Sequence, residues 1–92
     1  GDAEGERKAL GAAIEAYKLF YEKGNKLPEK LGEPGVLYLI GELLRRQGEY
    51  REARGYFAKA LGSKELEAFP NINSLVREQM LVAKEQMEQA GA

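Results

Sequence analysis

Two pairs of carboxylates, Glu49 with Glu52 and Glu85 with Glu88, stand three residues apart. That spacing puts both members of a pair on one face of a helix. Paired carboxylates so placed hold a cation or divide acid and base roles between them. The same spacing is ordinary on a solvated helix surface, and that plainer role is the expected one. Besides five tyrosines the hydroxyl residues are Ser63 and Ser74, and neither lies in a nucleophile-elbow motif. Histidine and cysteine are absent, which removes the commonest near-neutral general base, the thiolate nucleophile and the zinc sites built from these ligands. The 11 glycines are scattered, with no GxGxxG or Walker loop to cradle a phosphate. No catalytic, cofactor-binding or metal-binding residue is assigned. The chain is expected to be no enzyme.

A basic cluster remains: Arg45, Arg46, Arg51 and Arg54, with Tyr50 and Tyr56 nearby. Glu42, Glu49 and Glu52 interleave with it and weaken its field. The 14 basic and 15 acidic side chains leave a net charge of -1. A dedicated nucleic-acid binder needs a cationic excess to displace counterions, so no nucleic-acid partner is expected. No apolar run approaches the ~20 residues that span a bilayer, and no signal peptide is visible. A cytoplasmic protein without membrane partners is expected. The chain opens on Gly1 and not Met, so a processed or cloned chain is expected, either part of a longer protein or one that carries a cleavage scar.

The elements that carry these residues are helices. Of 92 residues, 43% are hydrophobic and 32% charged; Ala, Leu, Glu, Lys and Arg dominate, and threonine is absent. That is a helix-forming vocabulary outside the disordered regime. Four segments are predicted in one domain over 1–92, an all-α fold of antiparallel hairpins. The first, 4–23, lines up Leu10, Ala13, Ile14, Tyr17, Phe20 and Tyr21 on one face. Gly24 and Asn25 stop it, and a loop follows to Glu33. The second runs from Pro34 to Gln47. Its Val36, Leu37, Tyr38, Leu39, Ile40, Leu43 and Leu44 are too many for one stripe, so it belongs in the centre. Gly41 inside it predicts close approach of a neighbouring helix backbone. Gly48 and Glu49 make a tight link to the third, Tyr50 to Leu61. Leu66 and Phe69 in the next connector pack down as a lid. The fourth, 72–89, starts with Asn71 or Asn73 as N-cap and lines Ile72, Leu75, Val76, Met80, Ala83 and Met87 on one side.

Residues 34–67 resemble a tetratricopeptide repeat, an antiparallel helix pair of about 34 residues. Leu37, Ile40, Gly41 and Leu44 carry the likeness on the first helix, Gly48 and Tyr50 at the turn, and Ala53, Phe57, Ala60 and Leu61 on the second. Position 37 lacks the repeat's usual aromatic, and its closing proline is displaced to Pro70. The first segment reads as the second helix of a preceding repeat, with Leu10, Ala13, Tyr17 and Phe20 matching Tyr50, Ala53, Phe57 and Ala60. A narrower likeness lies in Tyr38-Leu39-Ile40-Gly41-Glu42-Leu43, Arg45-Arg46, Gly48, Tyr50, Glu52-Ala53 and Arg77-Glu78-Gln79. That string is similar to the carboxy-terminal helical part of a bacterial family of unknown function. Members of that family join a cysteine-rich, zinc-binding-like amino-terminal region to such helices.

The repeat resemblance implies a non-catalytic scaffold that binds a protein or peptide partner. Carried over, its groove holds Tyr38, Leu39, Glu42, Arg45 and Arg46, with the arginines orienting an acidic peptide or chain end. The carboxylate-binding arrangement of such proteins needs Lys and Asn where this chain has Tyr38, Leu39 and Glu42. Tyr38 and Leu39 have a second placement open to them, buried against the fourth helix. About three repeats make a stable stack and this chain offers roughly two. The first helix is therefore expected to dock, through Ile14, Tyr17 and Tyr21, on the rest of a larger protein or on a second copy. In the alternative role the chain is an accessory or dimerisation domain, with the active or metal-binding region elsewhere.

Overall fold

The computed structural model describes residues 2–23 and 32–90. Four α-helices follow one another: α1 (Asp2–Glu22), α2 (Gly32–Arg46), α3 (Tyr50–Leu61) and α4 (Pro70–Gln89). A single 3₁₀ turn, Leu66–Ala68, lies between α3 and α4. Every regular element among the described residues is helical, and the fold is all-α. The predicted stop at Gly24 and Asn25 and most of the predicted loop lie outside the described residues.

The α2 helix is central because its sequence is apolar on more than one side. It contacts α1, α3 and α4, and buries Val36, Leu37, Ile40 and Leu44 to 2% exposure or less. From α3 come Ala53, Phe57 and Ala60, from α4 Val76 and Ala83, and from α1 Ile14. Each fully buried aliphatic or aromatic side chain contributes roughly 1.5–3 kcal/mol of transfer free energy, so α2 and α3 supply most of the core. The overall extents are 38 × 25 × 18 Å. Helices pack 8–10 Å apart, about two layers in the thinnest direction, so each helix keeps an outer face.

The turns follow from local chemistry. Gly48 adopts φ +89°, the left-handed region open to glycine. There the Glu49 N–H donates to the Leu44 carbonyl and the Gly48 N–H to the Arg45 carbonyl, which satisfies the last turn of α2 as a Schellman motif. The start of α2 differs from the prediction: it begins at Gly32, so Glu33 belongs to its first turn. Gly32 has φ +59°, and a Cβ there would lie 2.6 Å from the Phe69 ring. The glycine is what lets Phe69 cover this helix end, as expected of the lid residue.

Two further expectations are corrected. The α4 helix begins at Pro70 and not 72, because a proline at the first position gives up an N–H that has no helical partner. Its N-cap is Phe69, without a side-chain cap bond; neither Asn71 nor Asn73 takes that role. Asn73 instead accepts from Arg77 Nε at 2.8 Å. At Gly41 the close neighbour is a ring and not a backbone: a Cβ would meet Phe57 Cε1 at 2.5 Å.

The predicted face of α1 is the packed one: Leu10, Ala13, Phe20 and Tyr21 are half-buried and Ile14 is 3% exposed. Tyr17 differs, at 37% exposed. Ile14 and Tyr21, two of the three residues expected to dock on a partner, thus pack within the chain. Beside them the Lys18 ammonium reaches Glu52 on α3 at 2.5 Å.

Candidate interaction surface

The five residues expected in a binding groove do not form one open surface. Arg45 sits in the last turn of α2 with its side chain only 17% exposed. Its Nε and Nη2 donate to the two oxygens of Glu42 at 3.0 and 2.5 Å, and Nη1 donates to Gln86 Oε1 of α4 at 3.0 Å. The fork geometry of the guanidinium suits this use. The bond to Glu42 holds the guanidinium pKa above its ordinary value, against the opposing effect of burial. Arg46 is 62% exposed and lies 3.5 Å from Glu42.

Tyr38 is half-buried and packs on the core, its ring centroid 6.1 Å from that of Phe57 at 35°. Burial raises its hydroxyl pKa, and the nearby Glu42 carboxylate adds to the rise. Leu39 is half-buried. Tyr38, Glu42 and Arg45 are thus engaged within the chain. Arg46 faces the other way, where with Glu6, Ala9 and Leu10 of α1 it lines a shallow groove of about 460 Å³.

The carboxylate pairs are placed as solvated helix surface. Glu49, Glu52, Glu85 and Glu88 are all exposed, and Glu52 is bound to Lys18. Among the described residues no group of three or more acidic side chains gathers to hold a metal ion. Ser63 Oγ accepts the Glu65 N–H at 3.2 Å, a local turn contact. Tyr56 lies under two cations, with Lys59 Nζ 4.7 Å and Lys18 Nζ 5.7 Å from its ring centroid.

Another surface lies between α3 and α4. A groove of about 520 Å³ is lined by Arg54 and Leu61 of α3 and by Arg77, Met80, Leu81 and Lys84 of α4. Leu81 is 63% exposed, and the Arg54 Nε is buried without a hydrogen-bond partner. Sequence reading places Met80 in the core stripe of the fourth segment and passes over Leu81. The signal for this groove is the 77, 80, 81, 84 spacing, which sets cations on both sides of an apolar pair on one helix face.

A bacterial family described as "Uncharacterized protein conserved in bacteria (DUF2225)" matches residues 1–83. The chain belongs to this family. The DUF2225 match takes in α1, α2, α3 and α4 as far as Ala83, and with them every lining residue of the α3–α4 groove except Lys84. The narrower sequence likeness, to a bacterial family of unknown function, agrees with this membership. Comparison with curated proteins and with solved structures found no match. No helix among the described residues is long and apolar enough to cross a membrane.

Proposed function

We propose that this chain is a non-catalytic helical module for protein–protein interaction, of tetratricopeptide kind, working as part of a larger bacterial protein. The observation that carries the reading is the apolar surface left on the outer faces of the two-layer stack. Leu81 is 63% exposed and sits in a cation-rimmed groove, and Leu19 on α1 is 53% exposed. Large aliphatic side chains set among charges in this way suit a surface that is covered by a partner. The order of packing supports the same reading. Each helix packs on the next in the chain, and α2 also touches α4, as in a stack of helical hairpins. Among the described residues the carboxylates of the two spaced pairs are exposed, and no group of three or more acidic side chains gathers at one place.

Within this reading, Arg46 is the orienting charge at the α1–α2 groove for an acidic segment or chain end, beside Ala9 and Leu10. Arg45 and Glu42 are bound to each other and Arg45 to Gln86 of α4, and Tyr38 packs on Phe57, so these three support α2 from within the chain. The test is affinity capture with the wild-type chain, Arg46→Glu and Leu81→Glu, each followed by identification of the recovered proteins. The reading expects a defined protein that is recovered by the wild type and lost from at least one variant. Recovery no different from that of an unrelated helical control would defeat it. A second reading, an accessory or dimerisation domain, draws on Tyr17 and Leu19, both exposed on α1. It expects association of the chain with itself that depends on concentration and is lost in Leu19→Glu.

A further inference from the structure

The chain itself shows how one of its helices is held by its neighbours. The α3 helix packs along α2 and α4, and touches α1 only lightly. It seats Phe57 against Gly41 of α2 and sends the Glu52 carboxylate to Lys18 of α1 at 2.5 Å. A docked helix here thus offers an apolar stripe to one neighbour and a carboxylate to a cation of another. The α3–α4 pair is the next groove along the same stack, and none of the described residues fills it.

Its lining has the same two components. Leu61 and Met80 are half-buried against the core and Leu81 is exposed, which gives an aliphatic floor. Arg54, Arg77 and Lys84 form the walls. None of the three makes an ion pair among the described residues. Arg77 donates only to the neutral Asn73, and the Arg54 Nε is buried without a partner. In a chain of net charge -1, these three cations around an apolar floor offer charge to an acidic occupant. The floor has no aromatic ring on which a base would stack, which separates this groove from a single-stranded nucleic-acid site.

We infer that the α3–α4 groove docks an amphipathic acidic helix of a partner protein, with its leucine-type stripe on Leu61, Met80 and Leu81 and its carboxylates on Arg54, Arg77 and Lys84. The inference deepens the interaction reading and rests on it. A helix in such a groove is recognised through side chains spaced three and four residues apart, and the cations fix its register.

The probe is a synthetic helix-forming peptide with leucines at three- and four-residue spacing and glutamates beside them, labelled for fluorescence anisotropy. A matched peptide carries lysine in place of glutamate. The glutamate peptide is expected to bind saturably and to weaken with added salt, and the lysine peptide not to bind. Arg77→Glu/Lys84→Glu and Leu81→Glu change exposed side chains and should keep the wild-type helical circular dichroism. Each is expected to weaken the glutamate peptide by about tenfold or more. Equal binding of the two peptides, or no binding of either, overturns the proposal. Binding that survives both variants also overturns the groove, but leaves the broader interaction reading standing. Two parallel arms exclude other occupants. Self-association lost in Leu81→Glu would assign the groove to a second copy. Attachment to phosphatidylglycerol vesicles, without peptide binding, would assign it to a lipid surface. Either result overturns the acidic helix.

Discussion

The Phe57 ring rests against the α-carbon of Gly41, so closely that a Cβ at position 41 would lie 2.5 Å from Cε1 and 2.7 Å from Cδ1. Phe57 is completely buried, between Ala53 and Ala60 on its own helix, which are buried as well. This contact joins the two central helices. It explains a glycine in the middle of a helix, where it costs about 1 kcal/mol relative to alanine.

Gly41→Ala is therefore expected to destabilise the fold despite its better helix propensity. Overpacking of a filled core costs about 1–3 kcal/mol, more than the propensity gain. Urea unfolding should show a lower midpoint, and Gly41→Ala/Phe57→Leu should recover part of the loss. An unchanged or raised midpoint for Gly41→Ala would contradict the contact.

Among the described residues, Ile14 is the one side chain of α1 in the fully buried core. Ile14→Ala should cost about 2–4 kcal/mol and release α1 before the rest. Amide exchange in α1 should speed up more than exchange at Ile40 or Phe57. Uniform acceleration in all four helices would mean that α1 is not a separable unit.

Arg45 and Arg46 are adjacent and identical but should respond differently. Arg45→Ala leaves Glu42 without its two charge-assisted bonds and Gln86 without its donor, a loss of about 1–3 kcal/mol. Arg46→Ala removes a contact at 3.5 Å from a largely exposed side chain and should stay within about 0.5 kcal/mol. Thermal unfolding of the two variants side by side measures the difference. Arg45→Lys should fall between them, because a lysine offers no planar fork.

The alkaline limb of stability should be set by the half-buried Tyr38 and Tyr56 and by Lys18. Burial raises the Tyr38 and Tyr56 hydroxyls above 10.0, and the bond to Glu52 raises Lys18 above 10.5. In each case the folded chain holds its proton more tightly than the unfolded chain. The stabilisation is complete below the ordinary values and is lost as pH rises through the raised ones. The melting temperature should thus be insensitive to these groups between neutrality and about pH 9, and fall above about pH 10. Tyr38→Phe/Tyr56→Phe should flatten that fall. An equally steep fall in the double variant would assign it to other groups.

Much of the fold was legible because helical periodicity is local. Tyr50, Ala53, Phe57, Ala60 and Leu61 bound the third helix to the residue, and the many apolar positions of 36–44 put the second helix at the centre. The face of α1 was legible too, but not its depth. Ile14 and Tyr17 lie on the same predicted face, so periodicity alone cannot say which goes into the core. Packing on the other helices buries Ile14 and leaves Tyr17 open. The start of α4 was missed because asparagine is the better side-chain cap, whereas the chain uses a proline that needs none.

The candidate surface divides along the same line. The basic residues around the Gly48 turn stand out in the sequence, but their fates do not: Arg45 is spent on Glu42 and Gln86, and Arg46 stays in solvent. Leu81 carries no mark in the sequence that separates it from a core residue, yet it is the most exposed large apolar side chain described. By itself the sequence determined the helices, their order and the central position of α2, since these depend on residues within a few turns of one another. Only the tertiary structure decided which residue of the α1 face goes deepest, what meets Gly41, and that Arg54 and Arg77 converge on one groove. Those outcomes depend on contacts between helices far apart in the chain, which local spacing does not encode.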